Sequence, residues 1–219
     1  MMNAQVHILG PQFSTFVRSV MLCCEEKGIT YSYGFSLEGS TIEMKSKEHL
    51  ALHPFGKIPV LLHGERKLYE TATICRYLDA EFDGPVLQPE DSYDRALVDQ
   101  WCAAISLYID QAIVREYLLE FAFPKGENGS VRMDKVSAAQ PYVKELLQML
   151  EVKIGGAPFI CGEQYSIADA LVTPMLDYLA NLPQGDELLE PNPLIADYVE
   201  RMRKRESGLK VLRPLAGKK

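Results

Sequence analysis

The sequence predicts a two-domain protein: an α/β domain over residues 1–82 built on a mixed sheet, and an all-α domain over 92–219, joined by a linker at 83–91. Three observations predict this. The N-terminal part alternates short apolar runs with helical spacing, in the order strand, helix, strand, irregular helix, strand, strand, helix, which suits a layered α/β unit. Hydrophobic periodicity then vanishes from Asp83-Gly84-Pro85 to Pro89-Glu90-Asp91, a stretch rich in breakers and acid. From Ser92 almost to the end the spacing is helical.

Taken in order, the run VHILG ending at Gly10-Pro11 predicts a first strand and a turn. Val17, Val20 and Cys24 then recur at i, i+3 and i+7, with Arg18, Glu25 and Glu26 on another face, so a helix should begin at Ser14 or Thr15 and stop at Gly28. Residues 29–35, ITYSYGF, read as a second strand. Residues 36–52, with Gly39-Ser40-Thr41 and a helix-like run around Met44 to Leu52, have weak periodicity and predict an irregular, mobile segment. HPFGKIPVLLHGERKLYET, residues 53–71, predicts a buried strand introduced by Ile58-Pro59, a turn at His63-Gly64-Glu65, a return strand and a helix start at Glu70-Thr71. Ile74, Tyr77 and Leu78 carry that helix to about Phe82.

In the second half, helices are expected at 92–120, 131–155, 166–182 and 193–205. Pro124-Lys125-Gly126, Gly155-Gly156 and Pro183-Gln184-Gly185 separate them. Ser166-Ile167-Ala168-Asp169 is a capping box with Asp in place of Glu or Gln. Pro174, inside the helix that follows, predicts a kink.

Composition narrows the function classes. Net charge is −7, with 8 basic against 9 acidic residues in 1–82 and 15 against 21 in 83–219. An acidic second half argues against nucleic acid as the main partner. The basic run Arg201 to Arg205 sits in a helical pattern and reads as a solvated face. The first residues lack the pattern of a signal peptide, and no apolar run approaches a membrane span, so a soluble, cytoplasmic protein is expected. Five cysteines, an odd number without framework or zinc spacing, predict reduced thiols and no metal. Cys23-Cys24 reads as small apolar core.

Two features of residues 53–71 suit a peptide ligand. A proline can open a strand without the loss of a ladder donor, and its X-Pro bond can be trans or cis. The N-H groups of a helix N-terminus at Thr71 suit a carboxylate.

These motifs together resemble a known family. HPFGKIPVL followed by LYETATICRYL resembles the glutathione-binding segment of cytosolic glutathione S-transferases, and YSIADALVTPML resembles the N-capping-box helix of their C-terminal domain. GPQFSTFVRSVMLCCEEKG resembles the first turn and helix of the serine-type members, most closely the phi class and its bacterial relatives. The resemblance covers nearly the whole chain. It implies a thioredoxin-like domain that binds glutathione as co-substrate, a helical domain that supplies an apolar second-substrate site, and a homodimer.

Residue by residue, the resemblance implies that Pro59 is cis and that Ile58 pairs its backbone with the cysteinyl part of glutathione. Glu70 and Thr71 stand where the family binds the γ-glutamyl end. Lys45 and Lys57 align with basic positions that meet the glycyl carboxylate; the phi class commonly has His before the first, and here that residue is Met44. Ser14 is the expected catalytic group. A glutathione thiol with a pKa of about 8.5 is mostly protonated at neutral pH, and a hydroxyl donor beside a helix N-terminus would stabilise its thiolate. Thr15 is the alternative donor.

Cys23 and Cys24 lie nine and ten residues along the helix, about 13 to 15 Å away, too far to share the site. Phe13, with Tyr108 and Ala112 one helical turn apart after Trp101, are candidates for the second-substrate wall. The expected function is conjugation of glutathione to a small apolar electrophile, in the manner of a detoxification enzyme. The alternatives are a glutathione-dependent isomerase or dehalogenase, and a non-catalytic homologue that binds ligands or partners.

Overall fold

A computed structural model describes residues 5–37 and 39–212, so the outermost ends of the two expected domain spans lie outside the described residues. The chain forms two compact units. One contains the described residues up to Pro89 together with those from Lys204, and the other is Glu90–Arg203.

In chain order the first unit has β1 (Val6–Leu9), α1 (Thr15–Lys27), β2 (Tyr31–Gly34), a hairpin of β3 (Ser36–Leu37) and β4 (Ser40–Thr41), α2 (Lys47–Leu52), β5 (Val60–His63), β6 (Arg66–Tyr69) and α3 (Thr71–Glu81). The main sheet has the order β2-β1-β5-β6. β1 pairs parallel with β2 and antiparallel with β5, which pairs antiparallel with β6. This is the mixed sheet of a thioredoxin-like domain. Val6, Ile8 and Leu9 of β1 are buried; α1 and α3 pack together, and their Val17, Val20, Ile74 and Leu78 are buried. Gly28 ends α1 in the left-handed region at φ 70°, where glycine carries no Cβ penalty.

Residues 36–52 depart from the expected irregular segment. They form the β3–β4 hairpin and α2, and Ile42 reaches into a core with Leu9 and Val60. Their apolar anchors, Leu37, Ile42 and Leu52, are too widely spaced to give a period to read.

The first helix of the second unit, α4 (Ser92–Ala104), is capped by Asp91, whose carboxylate accepts the N-H groups of Tyr93 and Asp94 at 2.9 and 3.0 Å. That helix continues as a π-helical stretch, Ile105–Leu118, into α5 (Leu119–Ala122). α6 (Met133–Ile154), α7 (Ile167–Ala180), α8 (Gly185–Leu189) and α9 (Pro193–Lys204) follow. α7 is buried on nearly every side, in keeping with its largely apolar sequence, and runs through Pro174 as a single helix. Among the described residues, no helix is long and apolar enough to cross a membrane.

α10 (Glu206–Val211), which the periodicity did not predict, belongs to the first unit. Glu26 on α1 accepts both Nε and Nη2 of Arg205 at 2.9 and 2.6 Å, and also the Ser207 hydroxyl. Lys210 reaches Glu25 at 2.6 Å. Arg203 pairs with buried Asp177 at 2.7 Å. Two members of the expected solvated basic face are therefore paired, and Glu26 is partly buried.

Candidate functional site

Register brings the predicted residues of the first unit to one end of the sheet. Leu9 opposes Val60, which opposes Tyr69 on its other side. The residues just beyond these, Gly10, Pro59 and Glu70, are therefore neighbours. The Ile58-Pro59 peptide is cis. Gly10, at φ 142°, lets the chain turn close against Ile58 and α1: a Cβ there would lie 2.6 Å from Val17 Cγ2 and 3.3 Å from Ile58 Cβ.

Ser14 is the N-cap of α1, at the end of that turn, and is partly exposed. Its Oγ accepts the Val17 N-H at 3.4 Å, a long bond that uses a lone pair and leaves the hydroxyl proton free to donate. Capping and donation are compatible. Thr15, the first residue of the helix, is buried. Beneath the turn, Arg18 is 1% exposed and its Nε donates to the Gln12 carbonyl at 3.0 Å. Arg18 is thus buried on its face of the helix, unlike Glu25 and Glu26, and its guanidinium fastens the loop that presents Ser14.

At the neighbouring corner, Lys45 and Lys57 are both exposed. Between their main chains lies His49, fully buried. Glu70, not Thr71, is the N-cap of α3, and its side chain makes no capping bond. The first-turn N-H groups have no side-chain cap from Glu70 and suit an anion. Thr71 is the first residue of α3 and is buried. Among the described residues, three other than glycine have positive φ: Lys45 at 65°, Glu70 at 71° and Asn128 at 54°. Asparagine tolerates that region, lysine and glutamate do not. Two charged candidate ligands thus carry the strained backbone that marks functional positions.

Family models match this chain over both units: "Glutathione S-transferase, N-terminal domain" at residues 13–81 and "Glutathione S-transferase, C-terminal domain" at 112–206. A phi-class (F) glutathione S-transferase of Arabidopsis thaliana is 30% identical over 203 residues, covering 89% of this chain and 78% of the relative. The chain belongs to the glutathione S-transferase family. A probable glutathione S-transferase of Nicotiana tabacum is also 30% identical, over 76% of this chain and 67% of its own. The crystal structure of a poplar glutathione transferase of the F series superposes with a TM-score of 0.83 at 26% identity, over 95% of this chain and 97% of that one. A rice glutathione transferase crystallised with glutathione gives 0.74 at 25% identity, over 97% and 92%.

The remaining predicted positions of this glutathione S-transferase lie in both units. Phe13, next to Ser14, is 50% exposed. In the second unit Tyr108 is 61% exposed but Ala112 only 1%, so of that pair only Tyr108 offers surface. Both lie in the π-helical stretch, four residues apart. Cys23 and Cys24 are fully buried, and the Cys23 thiol is pushed well up, first by its hydrogen bond with Cys75 and then by burial. The sequence reading missed His49 and Arg18. A histidine inside a helical run and an arginine at i+4 from the candidate serine were visible, but their partners are backbone atoms of other loops.

Proposed function

We propose that the chain is a serine-type glutathione transferase that conjugates glutathione to a small apolar electrophile. Ile58 pairs its backbone with the cysteinyl residue of glutathione beside cis Pro59. Glu70 receives the γ-glutamyl ammonium, and Thr71 with the start of α3 receives its carboxylate. Lys45 and Lys57 take the glycyl carboxylate. The tripeptide's binding energy is thereby used to hold its sulfur at Ser14.

Ser14 donates a hydrogen bond to the sulfur, and the N-terminus of α1 adds its dipole. The thiol proton leaves to solvent at neutral pH. The thiolate then forms the C-S bond while the electrophile's leaving group departs or its double bond accepts the electron pair. Phe13 and Tyr108 are the proposed second-substrate contacts; Ala112, the third expected, is buried. The enzyme works in the cytoplasm as a homodimer, as is usual in its family.

The observation that carries this reading is the meeting of Gly10–Ser14, Ile58-Pro59 and Glu70-Thr71 at one end of the sheet, with strain at Glu70. The test is the ultraviolet thiolate band of bound glutathione titrated against pH. In the wild type the bound thiol should ionise below the free one, and Ser14→Ala should return it toward the free value with kcat/KM about a hundredfold lower. Unaltered ionisation in Ser14→Ala would remove the serine from the mechanism; the same loss in Thr15→Ala alone would move the role to that residue.

A further inference from the structure

The lysine corner contains a histidine that no other part of the site requires. His49, on α2, is fully buried, and both ring nitrogens are used. Nδ1 accepts the Lys45 N-H at 2.9 Å, and Nε2 faces the Lys57 carbonyl at 3.0 Å. A backbone N-H at one nitrogen and a carbonyl at the other fix the tautomer, with the proton on Nε2. One ring therefore bridges two main-chain segments that precede and follow α2.

Two further observations tie this bridge to the lysine side chains. Lys45 has a φ of 65°, unfavourable for a lysine, and the bond from its own N-H to His49 helps to hold it there. The stem of Lys45 lies over Gly56: a Cβ on Gly56 would approach Lys45 Cγ to 3.4 Å. The stem thus runs across the residue next to Lys57. Ser46 Oγ accepts the His49 N-H at 3.2 Å, so the same residue is also held at the start of α2.

We propose that His49 is a positioning residue for the glycyl carboxylate of glutathione: it locks Lys45 and Lys57 into one preorganised cationic clamp. The proposal rests on the reading of those lysines given above. His49 itself touches no ligand atom. It acts by removing the backbone freedom that two exposed lysines would otherwise lose on binding.

The test measures dissociation constants by calorimetry for glutathione and for its glycyl monoethyl ester, which lacks the carboxylate charge. Lys45→Ala and Lys57→Ala serve as references. His49→Leu should weaken glutathione about tenfold, as the loss of an oriented charge-assisted contact would, and weaken the ester far less. His49→Asn, which keeps an acceptor near the Nδ1 position, and His49→Gln, which keeps a donor near the Nε2 position, should each recover part of the loss; they also stand in if His49→Leu fails to fold. Equal weakening of glutathione and ester in the His49 variants would reduce the ring to a structural strut and overturn the proposal, as would unchanged affinity for both. If the lysine variants themselves fail to discriminate glutathione from ester, the lysine reading falls, and the proposal with it.

Discussion

Glu70 is held at φ 71°, ψ 112°, a region that costs a side-chain-bearing residue about 1 to 3 kcal/mol. Glycine, without a Cβ, is less strained there but loses more entropy on folding, by about 0.4 to 1 kcal/mol. Glu70→Gly should therefore leave the protein about 1 kcal/mol more stable in chemical denaturation while weakening glutathione binding in calorimetry. A variant that is both less stable and normal in binding would mean that the strain serves no ligand. At this scale the sequence was partly readable. Ser14, Pro59 and Glu70 could be named because each breaks a local pattern: a helix start, a strand-opening proline, an acid at a helix N-terminus. Arg18 and His49 could not, since their roles depend on the Gln12, Lys45 and Lys57 main-chain groups that only the folded loops supply.

Among the elements, α7 is the clearest case in which a short motif determines a helix. The Asp169 carboxylate accepts the N-H and hydroxyl of Ser166 at 2.9 and 2.8 Å, the N-H of Ile160 at 2.9 Å and the Tyr198 hydroxyl at 2.9 Å. Burial pushes the carboxyl's pKa up, against the four hydrogen bonds. The bond from the Ser166 N-H is one half of the capping box that SIAD announces; the other half is the Asp169 N-H donating to the Ser166 side chain. The bonds from Ile160 and Tyr198 join α7 to the preceding loop and to α9, and no spacing announces them. Asp169→Ala should destabilise by about 3 kcal/mol or more because it strands several buried donors, whereas Tyr198→Phe, which removes one donor and leaves the cap intact, should cost about 1 kcal/mol. Similar losses in the two, measured by denaturant unfolding, would show the cap to be dispensable. The π-helical stretch is the opposite case: its length was legible from the long apolar periodicity, but its i→i+5 ladder was not. Nor does spacing distinguish exposed Tyr108 from buried Ala112 four residues on.

Across the whole molecule, the division into an α/β and an all-helical part was legible because composition and period both change near residue 90. The return of the chain from Lys204 to the first unit was not, because α10 is only six residues long and its attachment lies in paired charges. Glu26 has a side chain only 11% exposed and holds Arg205, itself 31% exposed. Arg205→Met should cost about 2 kcal/mol, a loss that leaves an anion partly buried. It should persist at high salt, which screens exposed pairs more than buried ones; a cost abolished by salt would mark the pair as superficial.

The α1–α10 clasp also sets an order of events during synthesis. Glu26 and Arg205 are separated by 179 residues, so at about 5 to 20 residues per second α1 leaves the ribosome roughly 10 to 40 s before its partner is made. Through that interval the nascent first unit carries two carboxylates awaiting their cations. The domain translated first is completed last.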